Sequence, residues 1–122
     1  MSESARIGLQ RENGDIISVG VILDGCICHI GYYLSEIYNT NESIQKLIEA
    51  GDIYRILDNG RTIIYLDKIS HRKDKLPKVS NNIECYIELC KSNHVDVGYL
   101  FTLENKWVIV AGFCVGELVK KC

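Results

Sequence analysis

The stretch LDGCICHIGYYLSEIYNTNESIQKLIEAGDI, residues Leu23 to Ile53, decides how the rest of the chain is read. It opens on Asp24-Gly25, a turn signal. Apolar residues then fall at Ile30, Tyr33, Leu34, Ile37 and Tyr38, the spacing of an amphipathic helix. Asn39, Thr40 and Asn41 interrupt that spacing, and each is a residue type that caps a helix. A second helix is expected after them, with Glu42 in its first turn, Ile44, Leu47 and Ile48 on one face, and Gly51 at its carboxyl cap. Helices this short are not stable alone in water, so the pair must lie on something.

The flanking sequence supplies strands. Arg6 to Arg11 and Ile16 to about Leu23 are joined through Asn13-Gly14, a strong short hairpin signal. The second of these strands has apolar residues on both faces, which places it inside a sheet. Asp52 to Leu57 reads as extended or a single turn, and Asp58-Asn59-Gly60 turns it into the strand Thr62 to Asp67. Lys68 to Lys78 is polar, holds five of the fourteen Lys and Arg residues and the only proline, and reads as a loop. A third helix is expected after Ser80-Asn81-Asn82, with Asn81 and Glu84 spaced as a capping box and Ile83, Tyr86, Ile87 and Cys90 on one face. It ends at Asn93-His94, where His94 suits a helix carboxyl end rather than catalysis. Val95 to Phe101 reads as a half-buried strand, Trp107 to Phe113 as a buried one, and the tail after it as either a strand or a helix. The expectation is one α+β domain over residues 1–122: an antiparallel, β-sandwich-like sheet decorated by two or three short helices.

Composition excludes several classes. A net charge of −2 gives no broad basic footprint, against a sequence-independent binder of nucleic-acid polymers. No apolar run approaches the roughly 18 residues of a membrane span, and MSESARIG lacks a signal-peptide core. A cytosolic protein follows, with Cys26, Cys28, Cys85, Cys90, Cys114 and Cys122 as free thiols. The run Cys26-Ile27-Cys28-His29 has no second cluster to complete a zinc site, so no metal is expected.

Catalytic patterns are missing as well. His29, His71 and His94 have no triad spacing, and no GxSxG, HExxH or P-loop motif occurs. Asp24, a possible base, is in the first place a turn residue. What remains is a binding constellation. Arg61, Lys68, Arg72, Lys73, Lys75 and Lys78, with His71, are opposed by Asp67 and Asp74, and such groups hold phosphates. Tyr32 falls off the apolar face of the first helix and is the best candidate for an exposed aromatic. The pattern suggests a small ligand bearing phosphate and a base.

One arrangement is more specific. Asp24, Gly25, Gly31, Leu34, Tyr38 and Asn39 form D-G-x5-G-x2-L-x3-Y-N, and L-I-x2-G-D-I follows at Leu47 to Ile53. RIGLQRENGDIISV precedes them, and His71-Arg72-Lys73-Asp74 and GYLFTLENKWVIV come after. In this order, from about Arg6 to Val110, the chain resembles the first described Thoeris anti-defence family of phage proteins. The resemblance implies a sponge acting in the host cell cytoplasm. It would bind cyclic ADP-ribose isomers made by bacterial TIR-domain proteins and keep them intact from their effector. It also implies dimers with ligand at the subunit junction, hexamers in some members that also take cyclic oligonucleotides, a decorated β-sandwich, and no cofactor. Ile22 stands where members often have histidine, and Cys26 where they tend to have an aromatic.

The expected ligand-binding residues are Asp24, Tyr32, Arg61, His71, Arg72, Lys73 and Tyr99. Arg72 and Lys73, with Arg61, would face phosphates, and Tyr32 or Tyr99 the adenine. The competing readings are a small phage adaptor that binds a host protein through the helical pair, and a hydrolase of the same signal.

Overall fold

The computed structural model describes residues 4–57, 60–66, 76–112 and 116–117. Its opening hairpin pairs β1 (Ala5–Gln10) antiparallel with β2 (Ile16–Val21). The turn closes where the Gly14 N–H donates to the Arg11 carbonyl at 2.8 Å, and Gly14 takes a φ of 91°. That left-handed conformation suits glycine because it has no Cβ to clash. The register sets Arg6 opposite Gly20 and Gly8 opposite Ser18.

The helical pair follows as a π-helical turn over Ile27–Gly31, α1 (Tyr32–Glu36) and α2 (Asn41–Ile48). Of the three candidate caps, Thr40 takes the role. Its hydroxyl accepts from the Ser43 N–H at 3.1 Å, and the Ser43 hydroxyl accepts from the Thr40 N–H at 3.2 Å. Gly51, with φ 95°, ends α2 as expected. Ile30, Leu34, Ile44, Leu47 and Ile48 are all buried.

Strands β3 (Ile53–Leu57) and β4 (Thr62–Tyr65) form the second hairpin. Gly60 packs beneath α1, where a Cβ would lie 2.8 Å from Tyr33 Cγ. Lys78, the last residue expected as loop, opens a short strand, β5 (Lys78–Ser80), along β2. Helix α3 (Ile83–Ser92) is capped by Asn82 rather than Asn81, the Asn82 side chain accepting from the Cys85 N–H at 2.8 Å. The chain continues through β6 (Val97–Phe101), β7 (Trp107–Gly112) and β8 (Gly116–Glu117), so the tail contributes a strand at those two residues.

The domain is α+β. The strands form one sheet in the order β4-β3-β2-β1-β6-β7-β8, with β5 beside β2. The sheet is mixed where the sequence suggested antiparallel pairing throughout: β1 runs parallel to β6, and β2 parallel to β3. The helical pair is the reason for the second of these, because it carries the chain over the sheet between β2 and β3 and lets both point the same way. Among the described residues the layers against this sheet are helical.

One face, built on Ile7, Leu9, Val19, Tyr99, Phe101 and Trp107, packs under the helical pair. The other packs Ile16, Leu100 and Ala111 against Tyr86 and Cys90 of α3. Each fully buried large apolar side chain contributes about 1.5–3 kcal/mol. Strand β6, expected half-buried, is buried at every position because α3 covers its second face. The fit is close, since a Cβ on Gly98 would lie 2.8 Å from Cys90 Sγ. The Tyr86 hydroxyl donates to the Tyr99 carbonyl at 2.6 Å, with the Arg6 carbonyl at 3.2 Å, and so ties α3 to the β1–β6 junction.

Cys26, Cys85 and Cys90 are free thiols, whereas Cys28 is disulfide-bonded, which corrects the all-thiol expectation. Among the described residues no helix is long and apolar enough to cross a membrane.

Candidate functional site

The outer edge of β2 is shared by two partners. Ile16 to Ser18 pair with β5, while Val21 pairs with Ile53 of β3. Gly20 lies at the fork between them. Its N–H donates to the Asp52 carboxylate at 2.8 Å. Asp52 is delivered there by Gly51, which ends α2 and turns the chain toward β3, and its carbonyl accepts from the Leu66 N–H at 2.9 Å.

A cavity of about 200 Å³ opens at this fork, on the α3 side of the sheet. Tyr86 of α3 covers Gly8, but the helix ends at Ser92. The corner over Arg6 and Gly20 is left open, with Asn93 and Val95 on one side and Lys78 on another.

Arg6 gives the cavity its character. It alternates with Ala5 and Ile7, so its side chain points away from the helical pair, and it is only 3 % exposed. Its Nε donates to Ser18 Oγ at 2.8 Å and its Nη2 to the Ser18 carbonyl at 3.3 Å. Those contacts fix the guanidinium plane, and among the described residues they leave the remaining N–H donors of the fork available. Nη1 lies beside the space a Gly20 Cβ would fill, 3.4 Å from it, and the Asp52 Oδ1 is 3.7 Å from the same point. Arginine and carboxylate thus flank one glycine, yet among the described residues Arg6 forms no ion pair.

The residues below it do not balance the charge either. Burial pushes the Tyr86 phenol well above its ordinary value and pushes the Cys90 thiol up, so both stay neutral at physiological pH. Burying a guanidinium with no carboxylate in direct ion-pair contact, as among the described residues here, costs several kcal/mol. An anion entering the cavity would offset that cost through charge-assisted hydrogen bonds to Arg6, with Lys78 adding a second positive charge.

The described residues among those expected from sequence lie elsewhere. His71, Arg72 and Lys73 fall outside the described residues. Tyr32 is exposed, as its position off the apolar face suggested, and its ring meets Tyr33 edge-on at 6.2 Å. Arg61 is exposed at the start of the second hairpin's return. Asp24, with φ 59°, is ion-paired with Arg55 at 2.5 Å. Among the described residues the Arg55 Nε is buried without a partner. Tyr99 requires a correction. It is fully buried under the helical pair, and its hydroxyl donates to the Gly25 carbonyl at 2.9 Å, so its ring has no free face for a base. A period-two aromatic in a central strand serves the core.

None of Asp24, Tyr32, Arg61 and Tyr99 lines the cavity. The residues missed were Arg6, Gly20 and Asp52. The hairpin held a signal for two of them: pairing outward from the Asn13-Gly14 turn sets Arg6 against a glycine and leaves room beside the guanidinium.

Fold and site together define a small α+β domain with a buried arginine, unpaired among the described residues, at a fork in its sheet. No family model, curated protein or solved structure matches the chain.

Proposed function

We propose that this protein is a phage anti-defence sponge. It binds cyclic ADP-ribose isomers, the signals of TIR-based bacterial immunity, in the host cytoplasm and holds them intact. The observation that carries the reading is the buried Arg6 guanidinium, unpaired among the described residues and lining a cavity that Lys78 also borders. A diphosphate needs two such charges, and each charge-assisted hydrogen bond contributes about 1.5–3 kcal/mol. The cavity, at about 200 Å³, is smaller than the roughly 300–1,000 Å³ of typical small-molecule sites. It therefore takes the phosphate end, and self-association of the chain encloses the rest. A closed site slows escape, and affinity is set mainly by off-rate.

A capture-and-release assay tests this reading. The protein is mixed with product from an activated TIR enzyme, freed of unbound ligand and heat-denatured, and the supernatant is analysed by mass spectrometry. Unchanged cyclic nucleotide is expected. Arg6→Gln and Arg72→Ala, run in parallel, separate the cavity from the basic loop, and each is expected to reduce retention at least about tenfold where its arginine faces the phosphates. Failure of the protein to deplete the signal refutes sequestration.

A hydrolysed product would favour the enzyme reading, for which the Cys26 thiol, 3.1 Å from His29 Nδ1, is the first group to mutate. An adaptor role through the helical pair has less support, because the apolar faces of α1 and α2 are already buried on the sheet.

A further inference from the structure

We propose that the cavity at the fork reads a ribose phosphate, with the phosphate on Arg6 and Lys78 and a sugar hydroxyl on Asp52. This rests on the sequestration reading and assigns the part of the ligand that the cavity holds.

Asp52 lines the cavity together with Arg6. A carboxylate lining a cavity built for an anion is at first sight a contradiction, because it repels phosphate at short range. It offers only acceptors. One of its oxygens takes the Gly20 N–H, and among the described residues the other has no hydrogen-bond partner. It does not neutralise Arg6, although both flank the space beside Gly20. An occupant that satisfies both must carry an anion at one end and a hydroxyl donor close by. A ribose phosphate has that chemistry, whereas inorganic phosphate meets only half of it.

Gly20 makes the arrangement possible. A Cβ there would stand between the two charges, 3.4 Å from Arg6 Nη1 and 3.8 Å from Asp52 Cγ, in the space the ligand is to occupy. The N–H bond of Gly20 to Asp52 holds the carboxylate in place before any ligand arrives, which lowers the ordering cost of binding. Asp52 thus acts as a specificity group: it penalises bare anions and rewards a phosphate that brings its own donor.

Titration calorimetry on the full chain tests the assignment with ribose 5-phosphate and inorganic phosphate as probes. The protein should bind ribose 5-phosphate at least about tenfold more tightly than phosphate, because a charge-assisted hydrogen bond from the sugar hydroxyl to the half-buried Asp52 carboxylate is worth on the order of that factor. Asp52→Asn keeps an acceptor for the Gly20 N–H, so the fork stays intact. It should shrink the preference below about threefold and tighten inorganic phosphate, because the repulsion is gone. Lys78→Met, at an exposed position, should weaken both probes by roughly threefold or more while keeping their ratio. Gly20→Ala should cost ribose 5-phosphate more than phosphate, by filling the space without altering charge.

An unchanged preference in Asp52→Asn overturns the hydroxyl assignment. So does failure of the wild-type protein to bind ribose 5-phosphate. If the same preparation still captures the cyclic nucleotide, sequestration stands without this assignment. If capture is absent as well, both fall.

Discussion

Replacing Tyr86 with phenylalanine isolates the bond that ties α3 to the centre of the sheet. The ring is fully buried, over Gly8 and next to Ile16 and Leu100, and phenylalanine occupies the same space. No cavity forms, so the loss is confined to the hydroxyl. That hydroxyl donates to the Tyr99 carbonyl at 2.6 Å and lies 3.2 Å from the Arg6 carbonyl. The variant leaves carbonyl oxygens of two adjacent parallel strands facing an apolar ring edge. One buried acceptor without its partner costs about 1–3 kcal/mol. For a domain of this size each kcal/mol lowers the melting temperature by roughly 3–5 °C. The expected change is therefore about 2 kcal/mol, or roughly 6–10 °C.

Urea unfolding followed by circular dichroism reads it, with the midpoint falling and the slope unchanged. Tyr38→Phe is the control. Its hydroxyl also donates to a carbonyl, that of Gly60 at 2.6 Å, but Tyr38 is half-buried and water can replace the bond. It should cost about 1 kcal/mol or less. Equal losses in the two variants, or a Tyr86→Phe loss under about 0.5 kcal/mol, would show that burial does not set the cost of this bond.

Thr40→Ala removes the reciprocal cap with Ser43 and should destabilise by about 1 kcal/mol, measured in the same unfolding assay. Gly98→Ala drives a Cβ against Cys90 Sγ and should cost about 1–3 kcal/mol. The double variant with Cys90→Ala should recover much of that loss, and strict additivity would refute the contact. Stability should also decline as pH rises above about 9. Cys90 and Tyr86 have native pKa values raised by burial, so their contribution is complete below their unfolded values and is lost as pH climbs toward the native ones. In urea midpoints measured from pH 7 upward, Cys90→Ala should lack the earliest part of the decline.

Local structure was legible wherever backbone chemistry and side-chain spacing agree. Asn13-Gly14 announced the hairpin, Gly51 the end of α2, and the spacing of Ile44, Leu47 and Ile48 the face that α2 buries. Strand direction was not legible. The parallel pairing of β1 with β6 depends on long-range packing that no local window contains. Burial of β6 on both faces depended likewise on where α3 would land. At the site, Arg6 was legible only as the first residue of an expected strand, with nothing in the sequence to mark its burial. Its burial arises from Ser18 across the hairpin and from the fork that β5 and β3 create, and β5 was hidden at the junction between an expected loop and an expected helix cap. Tyr99 erred in the other direction: its type suited a stacking surface, but its place in a central strand committed it to the core.

The pairing of β1 with β6 also sets a timetable for the nascent chain. Ala5 joins Val97 in that ladder, and Leu9 joins Phe101. The opening hairpin can fold as soon as it leaves the ribosome, but its inner edge then waits for a partner 92 residues downstream. At translation rates of about 5–20 residues per second, the wait is roughly 5–20 s. Throughout it, Ile7 and Leu9 sit on a strand with an open edge, the feature through which chains pair with one another. Synthesis in the crowded setting of adjacent ribosomes on one message is therefore a stage at which this edge is open to pairing with another copy of the chain.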